Sequence, residues 1–169
     1  MQDPRIAFDR TVLRRFLKAN SGSAVVDAEA LAAVRIVFYL GNPYIPPSVA
    51  KEVDANGTPE EVTWTNFHFE EISRTEFYDG CVAQTAREYL NSHPDPGDCH
   101  LVAEVECAHL NVLLTLKRDL IERLGPKAQK IKVLTPSDYW KHAKVAPGAP
   151  PQTEPAEGHP LRDQDWWRW

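Results

Sequence analysis

Asp9, Glu52 and Asp98 are the residues of this chain whose type and placement best suit chemistry. Asp9 ends the short apolar run Ile6-Ala7-Phe8. Glu52 lies in the helical stretch that Pro47 opens after Tyr44-Ile45, and Asp98 opens a helix after the breaker His93-Pro94-Asp95-Pro96-Gly97. In a parallel α/β sheet, ligands sit at the carboxyl ends of the strands, so residues just after a strand or early in the next helix point into the site. Three carboxylates on one rim supply the hard oxygen ligands that Mg²⁺ or Mn²⁺ takes, and a coordinated water can attack a phosphodiester. Each acid also has an ordinary structural use, Asp9 and Asp98 as turn or cap residues and Glu52 as a solvated helix residue. Convergence would decide between these uses. It predicts carboxyl groups close enough to share one ion, with at least one pKa raised by their like charges.

Other constellations carry less. Arg10, Arg14 and Lys18 recur every four residues and share one helix face, either as plain solvation or as a track for RNA phosphates. His100 and Glu104 stand four apart on one helix without a third zinc ligand at sensible spacing, so a surface pair is the better reading. No Gly-rich phosphate loop is present. Phe8-Asp9-Arg10-Thr11 has a faint likeness to the first motif of haloacid-dehalogenase phosphatases, but that chemistry needs a second acid where Thr11 stands.

The elements that must position these acids alternate. Strands are expected at 5–8, 44–45, 112–116 and 131–134. Helices are expected after Asp9, after Asp27, from Pro47, from Glu76 to Tyr89, from Asp98, over 119–124 and from the Thr135-Pro136-Ser137 cap. Asn20-Ser21-Gly22-Ser23 reads as a loop. Asn56-Gly57 reads as a turn and Val62-Thr63-Trp64-Thr65 as an added strand or hairpin. This order predicts an α/β domain of three α/β/α layers around a mostly parallel sheet.

With 169 residues, 43% hydrophobic and 25% charged, the chain has room for one domain with a real core. That domain is expected over 1–144. Residues 145–169 hold five prolines between Pro147 and Pro160 and end in Trp166-Trp167-Arg168-Trp169, which predicts a disordered or loosely docked tail, dispensable for folding. Fixed-period repeats are absent. The longest apolar run, Ile36 to Leu40, is too short to span a membrane, and Met1 to Arg15 lacks the continuous apolar stretch of a signal peptide, so a soluble cytoplasmic protein is expected. Cys81, Cys99 and Cys107 form no C-x-x-C pair, so reduced core thiols are expected. Charge is segregated. Glu52 to Glu106 holds thirteen acids against Arg74 and Arg87, whereas Lys117 to Lys132 holds six basic residues against two acids, an arrangement that suits cations at one place and phosphates beside it.

Taken in order, these pieces resemble the PIN-like family of metal-dependent nucleases. The likeness runs from residue 5 to about 143. It is carried by Ile6-Ala7-Phe8-Asp9-Arg10-Thr11-Val12-Leu13, Tyr44 to Glu52, Asp98-Cys99-His100-Leu101-Val102-Ala103-Glu104, and Val112 to Leu120 with Ile131 to Pro136. The resemblance implies a divalent-metal-dependent endoribonuclease of the kind found as the toxin of a toxin and antitoxin pair. Asp9, Glu52 and Asp98 would be the catalytic and metal-binding acids, with Mg²⁺ or Mn²⁺ as cofactor. Thr11, Arg10, Arg14, Thr115 and Lys117 would meet the RNA. Partners implied are RNA, an antitoxin or other protein, and a second copy in a homodimer, with Trp64 and Phe67 available to such a surface.

Two departures stand out. Where the family carries a small residue and then Asn or Ser after the first acid, this chain has Arg10 and Thr11. Where the family carries a fourth acid, two residues after Thr115, it has Lys117, with Asp119 as the alternative acid. An ammonium there would repel a second metal and could itself touch phosphate. The competing reading is therefore a catalytically impaired PIN-like module that binds RNA or protein. A doubly wound domain with an unrelated small ligand is a third, because fold does not fix function.

Overall fold

The computed structural model describes residues 4–22 and 26–169. Ser23, part of the expected loop, lies outside them. Five strands form one sheet: β1 (Ile6–Phe8), β2 (Tyr44–Ile45), β3 (Glu70–Glu71), β4 (Val112–Leu114) and β5 (Lys132–Leu134). Their spatial order is β3-β2-β1-β4-β5 and every pairing is parallel. The first strand is thus the central one, with Ala7 opposite Tyr44 on one side and Leu113 on the other. All residues of β1 and β4 are buried, as covering of both sheet faces requires.

The helices are α1 (Arg10–Asn20), α2 (Ala28–Leu40), α3 (Pro47–Asn56), α4 (Pro59–Phe67), α5 (Tyr78–Tyr89), α6 (Pro96–Cys107), α7 (Arg118–Leu124) and α8 (Pro136–His142). α2 packs on α1 and α8, while α6 packs on α3, α5 and α7. The fold is a three-layer α/β/α arrangement, as the alternating elements predict. Local chemistry explains the starts. Asp9, Asp27, Thr58, Asp95 and Thr135 each accept a backbone N–H of the first turn, and α3, α4, α6 and α8 begin with proline, whose missing N–H costs nothing there.

Three expectations are corrected. Val62-Thr63-Trp64-Thr65 is helical, within α4. Thr58 and Glu61 form a reciprocal capping box, and Trp64 packs edge-on against Phe16 at 5.1 Å, and together these outweigh the strand preference of Val, Thr and Trp. The added strand is instead Glu70–Glu71, on the outer edge of β2.

Cys81 and Cys107 are joined as a disulfide, with Cα atoms 6.0 Å apart, and only Cys99 is a buried free thiol. The antiparallel hairpin of α5 and α6 brings together two cysteines 26 residues apart, which spacing alone does not reveal.

The segment beyond α8 has no helix or strand, yet it is docked. Trp167 and Leu161 have no exposed surface. The Trp167 ring lies 4.9 Å from Phe38, its indole N–H donates to the Leu161 carbonyl at 2.9 Å, and the Arg35 guanidinium donates to the carbonyls of Trp167 and Arg168. Such packing on α2 is at odds with a dispensable tail. Among the described residues no helix is long and apolar enough to cross a membrane.

Candidate functional site

At the carboxyl ends of β1 and β4 a cleft of about 220 Å³ opens, lined by Asp9, Glu52 and Asp98 together with Arg10, Thr11, Arg14, Ser48 and Lys117. The three acids reach it in different ways. Asp9 is the N-cap of α1 at the end of the central strand and is almost fully buried. One carboxylate oxygen accepts the Thr11 hydroxyl and the Val12 N–H, and the other accepts the Thr115 hydroxyl. Burial raises its pKa despite these donors. A raised pKa was expected here, but its cause is desolvation and not a neighbouring carboxylate.

Asp98 is not the cap of its helix. Asp95 takes that place, and Asp98 stands in the first turn of α6 facing the cleft. Its two oxygens are both engaged, Oδ1 by the Lys117 ammonium at 2.8 Å and Oδ2 by Nε2 of His93 at 2.9 Å. Burial opposes the charged carboxylate, but Lys117 and His93 hold its pKa below the ordinary range. Lys117 shows the mirror image, with burial outweighed by Asp98 and its pKa raised. Lys117 therefore lines the cleft and pairs with Asp98 there.

Glu52 is drawn away. One of its oxygens accepts from the Arg10 guanidinium at 2.7 Å. Arg10 is buried and also donates to Glu61 Oε1 at 3.0 Å and to the Asn56 carbonyl at 3.0 Å, so it ties α1 to α3 and α4. The expected RNA contact at Arg10 is corrected on this ground, since its donors are spent inside the protein. Arg14 is exposed but also donates to Glu61, at 3.1 Å. Although Glu61 is buried, Arg10, the Thr58 N–H and Arg14 lower its pKa to about 2. Thr11 and Thr115 serve Asp9. Thr11 also accepts from the Leu116 N–H at 3.0 Å. The alternative acid Asp119 is exposed on α7 and does not line the cleft.

Whether these donors fit a divalent ion follows from the same contacts. Among the described residues no three His, Cys, Asp or Glu side chains are close enough to hold one metal ion. Both oxygens of Asp98 and of Asp9 are engaged, and Glu52 leans on Arg10. The expected convergence is corrected accordingly: the acids share a cleft but do not form an ion-binding cluster, because Lys117 and Arg10 compensate their charge from within. As arranged, the residues do not fit Mg²⁺ or Mn²⁺.

The chain matches no family model and no curated protein.

Three participants are not legible in sequence. His93 reads there only as part of a breaker, Glu61 as one acid among thirteen, and Ser48 as a helix-start residue. Ser48 in fact donates its N–H and its hydroxyl to Glu104, at 3.0 and 2.6 Å, and fixes one wall of the cleft to α6. A capping box at Thr58 was the one signal available for Glu61. The resulting cleft can hold a polar ligand through the half-exposed Lys117 ammonium, while its acids are internally neutralised.

Proposed function

We propose that this chain is a PIN-like RNA-binding module in which an ammonium has replaced metal ligation. The observation that carries this reading is the Lys117 Nζ to Asp98 Oδ1 pair at 2.8 Å, at the place of the family's fourth acid. A removed acid weakens a cation site, and an added cation inside it weakens it further, since the two charges repel across a half-buried cleft. RNA is favoured as the ligand by the half-exposed Lys117 ammonium at the cleft. Arg118 beside it is exposed, and among the described residues it has no carboxylate within ion-pair distance. The chain as a whole carries a net charge of −5, so this unspent positive surface is local.

The test is fluorescence anisotropy of a labelled single-stranded RNA, with EDTA and with Mn²⁺, beside a denaturing gel of the same samples. Binding unchanged by EDTA, weakening steeply with salt and leaving the RNA intact, is expected. Cleavage that requires Mn²⁺ and disappears in Asp9→Asn would overturn the reading in favour of the nuclease that the resemblance implies. Absence of any binding at low salt would overturn both.

A further inference from the structure

The outer edge of the sheet is open. Strand β3 pairs with β2 on one side only, and Glu70 donates its N–H to the Pro43 carbonyl at 2.9 Å. Backbone groups alternate in direction along a strand, so those of Glu71 point away from β2 as an unpaired edge. Beyond it Ser73 and Arg74 are exposed and lie outside any helix or strand, and among the described residues their N–H groups meet no backbone carbonyl. A depression of about 330 Å³ opens there, lined by Glu71, Ile72, Ser73 and Arg74. Proteins commonly blunt such edges with charge, and Glu70 and Glu71 by themselves fit that use. The apolar residues beside them do not. Phe67 and Phe77 are each 79% exposed, the two most exposed large apolar side chains among the described residues, and they bracket β3 in the chain.

We infer that this edge is a docking surface for an extended, basic segment of a partner protein, which adds to β3 as a further strand. The inference is independent of the RNA-binding reading above. Main-chain bonds to Glu71 and to the exposed run after it hold such a segment, and Phe67 and Phe77 supply apolar contact. Charge selects the occupant. Glu70, Glu71, Glu76 and Asp79 are exposed with Arg74 as the one cation on that stretch, and among the described residues none of the five is ion-paired. Even with Lys51, which lines a depression together with Arg74 and Asp79, these acids outnumber the cations four to two. A second copy would set the β3 glutamates against their own equivalents, and like charges opposite each other destabilise a strand pair. RNA phosphates meet the same repulsion. A segment carrying Lys or Arg is attracted instead.

The experiment selects short random peptides from a displayed library on the full chain and measures the enriched ones, labelled, by fluorescence anisotropy. Enriched peptides are expected to be rich in Lys or Arg, to carry β-branched or aromatic residues and to lack internal proline. Glu70→Lys/Glu71→Lys and, separately, Phe67→Ser/Phe77→Ser should each weaken their binding at least about ten-fold. All four side chains are exposed, so circular dichroism and melting curves matching the parent are expected, and if the charge reversal does not fold the phenylalanine variant decides. Bound peptide should also slow hydrogen exchange at the Glu71 and Ser73 amides, which contact through side chains alone does not do. Failure of any peptide to enrich, enrichment without positive charge, or binding that survives in the variants that fold overturns the proposal. A chain that sediments as a dimer, and as a monomer after Phe67→Ser/Phe77→Ser, assigns the edge to a second copy and overturns it as well. Displacement of the peptide by oligouridine, with RNA binding weakened in that same variant, assigns the surface to RNA and does the same.

Discussion

Replacing Trp167 by alanine should destabilise the whole domain, although the residue stands in a segment without secondary structure. Its ring has no exposed surface and lies 4.9 Å from Phe38 and 6.3 Å from Tyr39, both on α2, with the Arg168 guanidinium 4.6 Å over its face. Truncating a fully buried tryptophan costs about 3–5 kcal/mol, the transfer term plus the cavity left behind. The lost indole N–H leaves the Leu161 carbonyl without that donor, a further cost of about 1 kcal/mol. For a chain of this size 1 kcal/mol moves Tm by about 2–4 °C, so a loss of about 4 kcal/mol lowers it by about 8–16 °C. Trp169 is the internal comparison. It is 40% exposed, so Trp169→Ala should cost less than half as much. Urea titration and calorimetry of both variants give the two values. A Trp167→Ala loss below about 1 kcal/mol, or one no larger than that of Trp169→Ala, refutes the view that this segment completes the core.

Three more outcomes are expected. Acid should act through Glu61, whose pKa falls from 4.5 to about 2 on folding. A depressed carboxyl stabilises the fold above its unfolded pKa and loses that contribution as pH falls from about 4.5 through 2, about 3 kcal/mol at most, so Glu61→Gln should flatten stability against pH in that window. Lys117→Asp should tighten Mn²⁺ binding at least about ten-fold by titration calorimetry, since it removes the ammonium from Asp98 and adds a carboxylate. Unchanged binding would mean that Lys117 is not what keeps the cleft from holding the ion. Cys107→Ser opens a loop with a sequence separation of 26 and should cost about 3.5 kcal/mol on the chain-entropy estimate, read as a lower denaturation midpoint. The same loss in the parent under a dithiol would identify the disulfide as its source.

What the sequence made legible is what local pattern encodes. Ile6-Ala7-Phe8 and Val112 to Leu114 are apolar runs closed by polar residues, and such runs become the buried centre of a parallel sheet. Asp27 and Thr135 announce their helices by side-chain chemistry that acts within three residues. Long-range features were silent. Arg10 looks like one of a basic row, and only the fold brings Glu61, 51 residues away, against its guanidinium. Glu70–Glu71 has no strand signature at all, because its place is set by backbone bonds to β2 and both side chains face solvent. Leu161 stands alone after Pro160 and Trp167 sits in a run of tryptophans without apolar period, so neither betrays that it packs into the core beside α2.

The central place of the first strand has a kinetic consequence. β1 needs β4 as its neighbour, and residue 6 meets residue 112, so the middle of the sheet cannot zip until a loop of about a hundred residues has closed. Helices α1 and α2, packed on each other early in the chain, can form ahead of it, but the sheet they are to cover comes later. Non-local parallel pairing of this sort slows folding far more than it affects stability. The Cys81–Cys107 link lies inside that loop and shortens it by only about a quarter, which changes the closure entropy by a few tenths of a kcal/mol. Oxidation should therefore slow unfolding much more than it speeds refolding, and the apolar faces of β1 and β4 are the surfaces a refolding chain exposes longest.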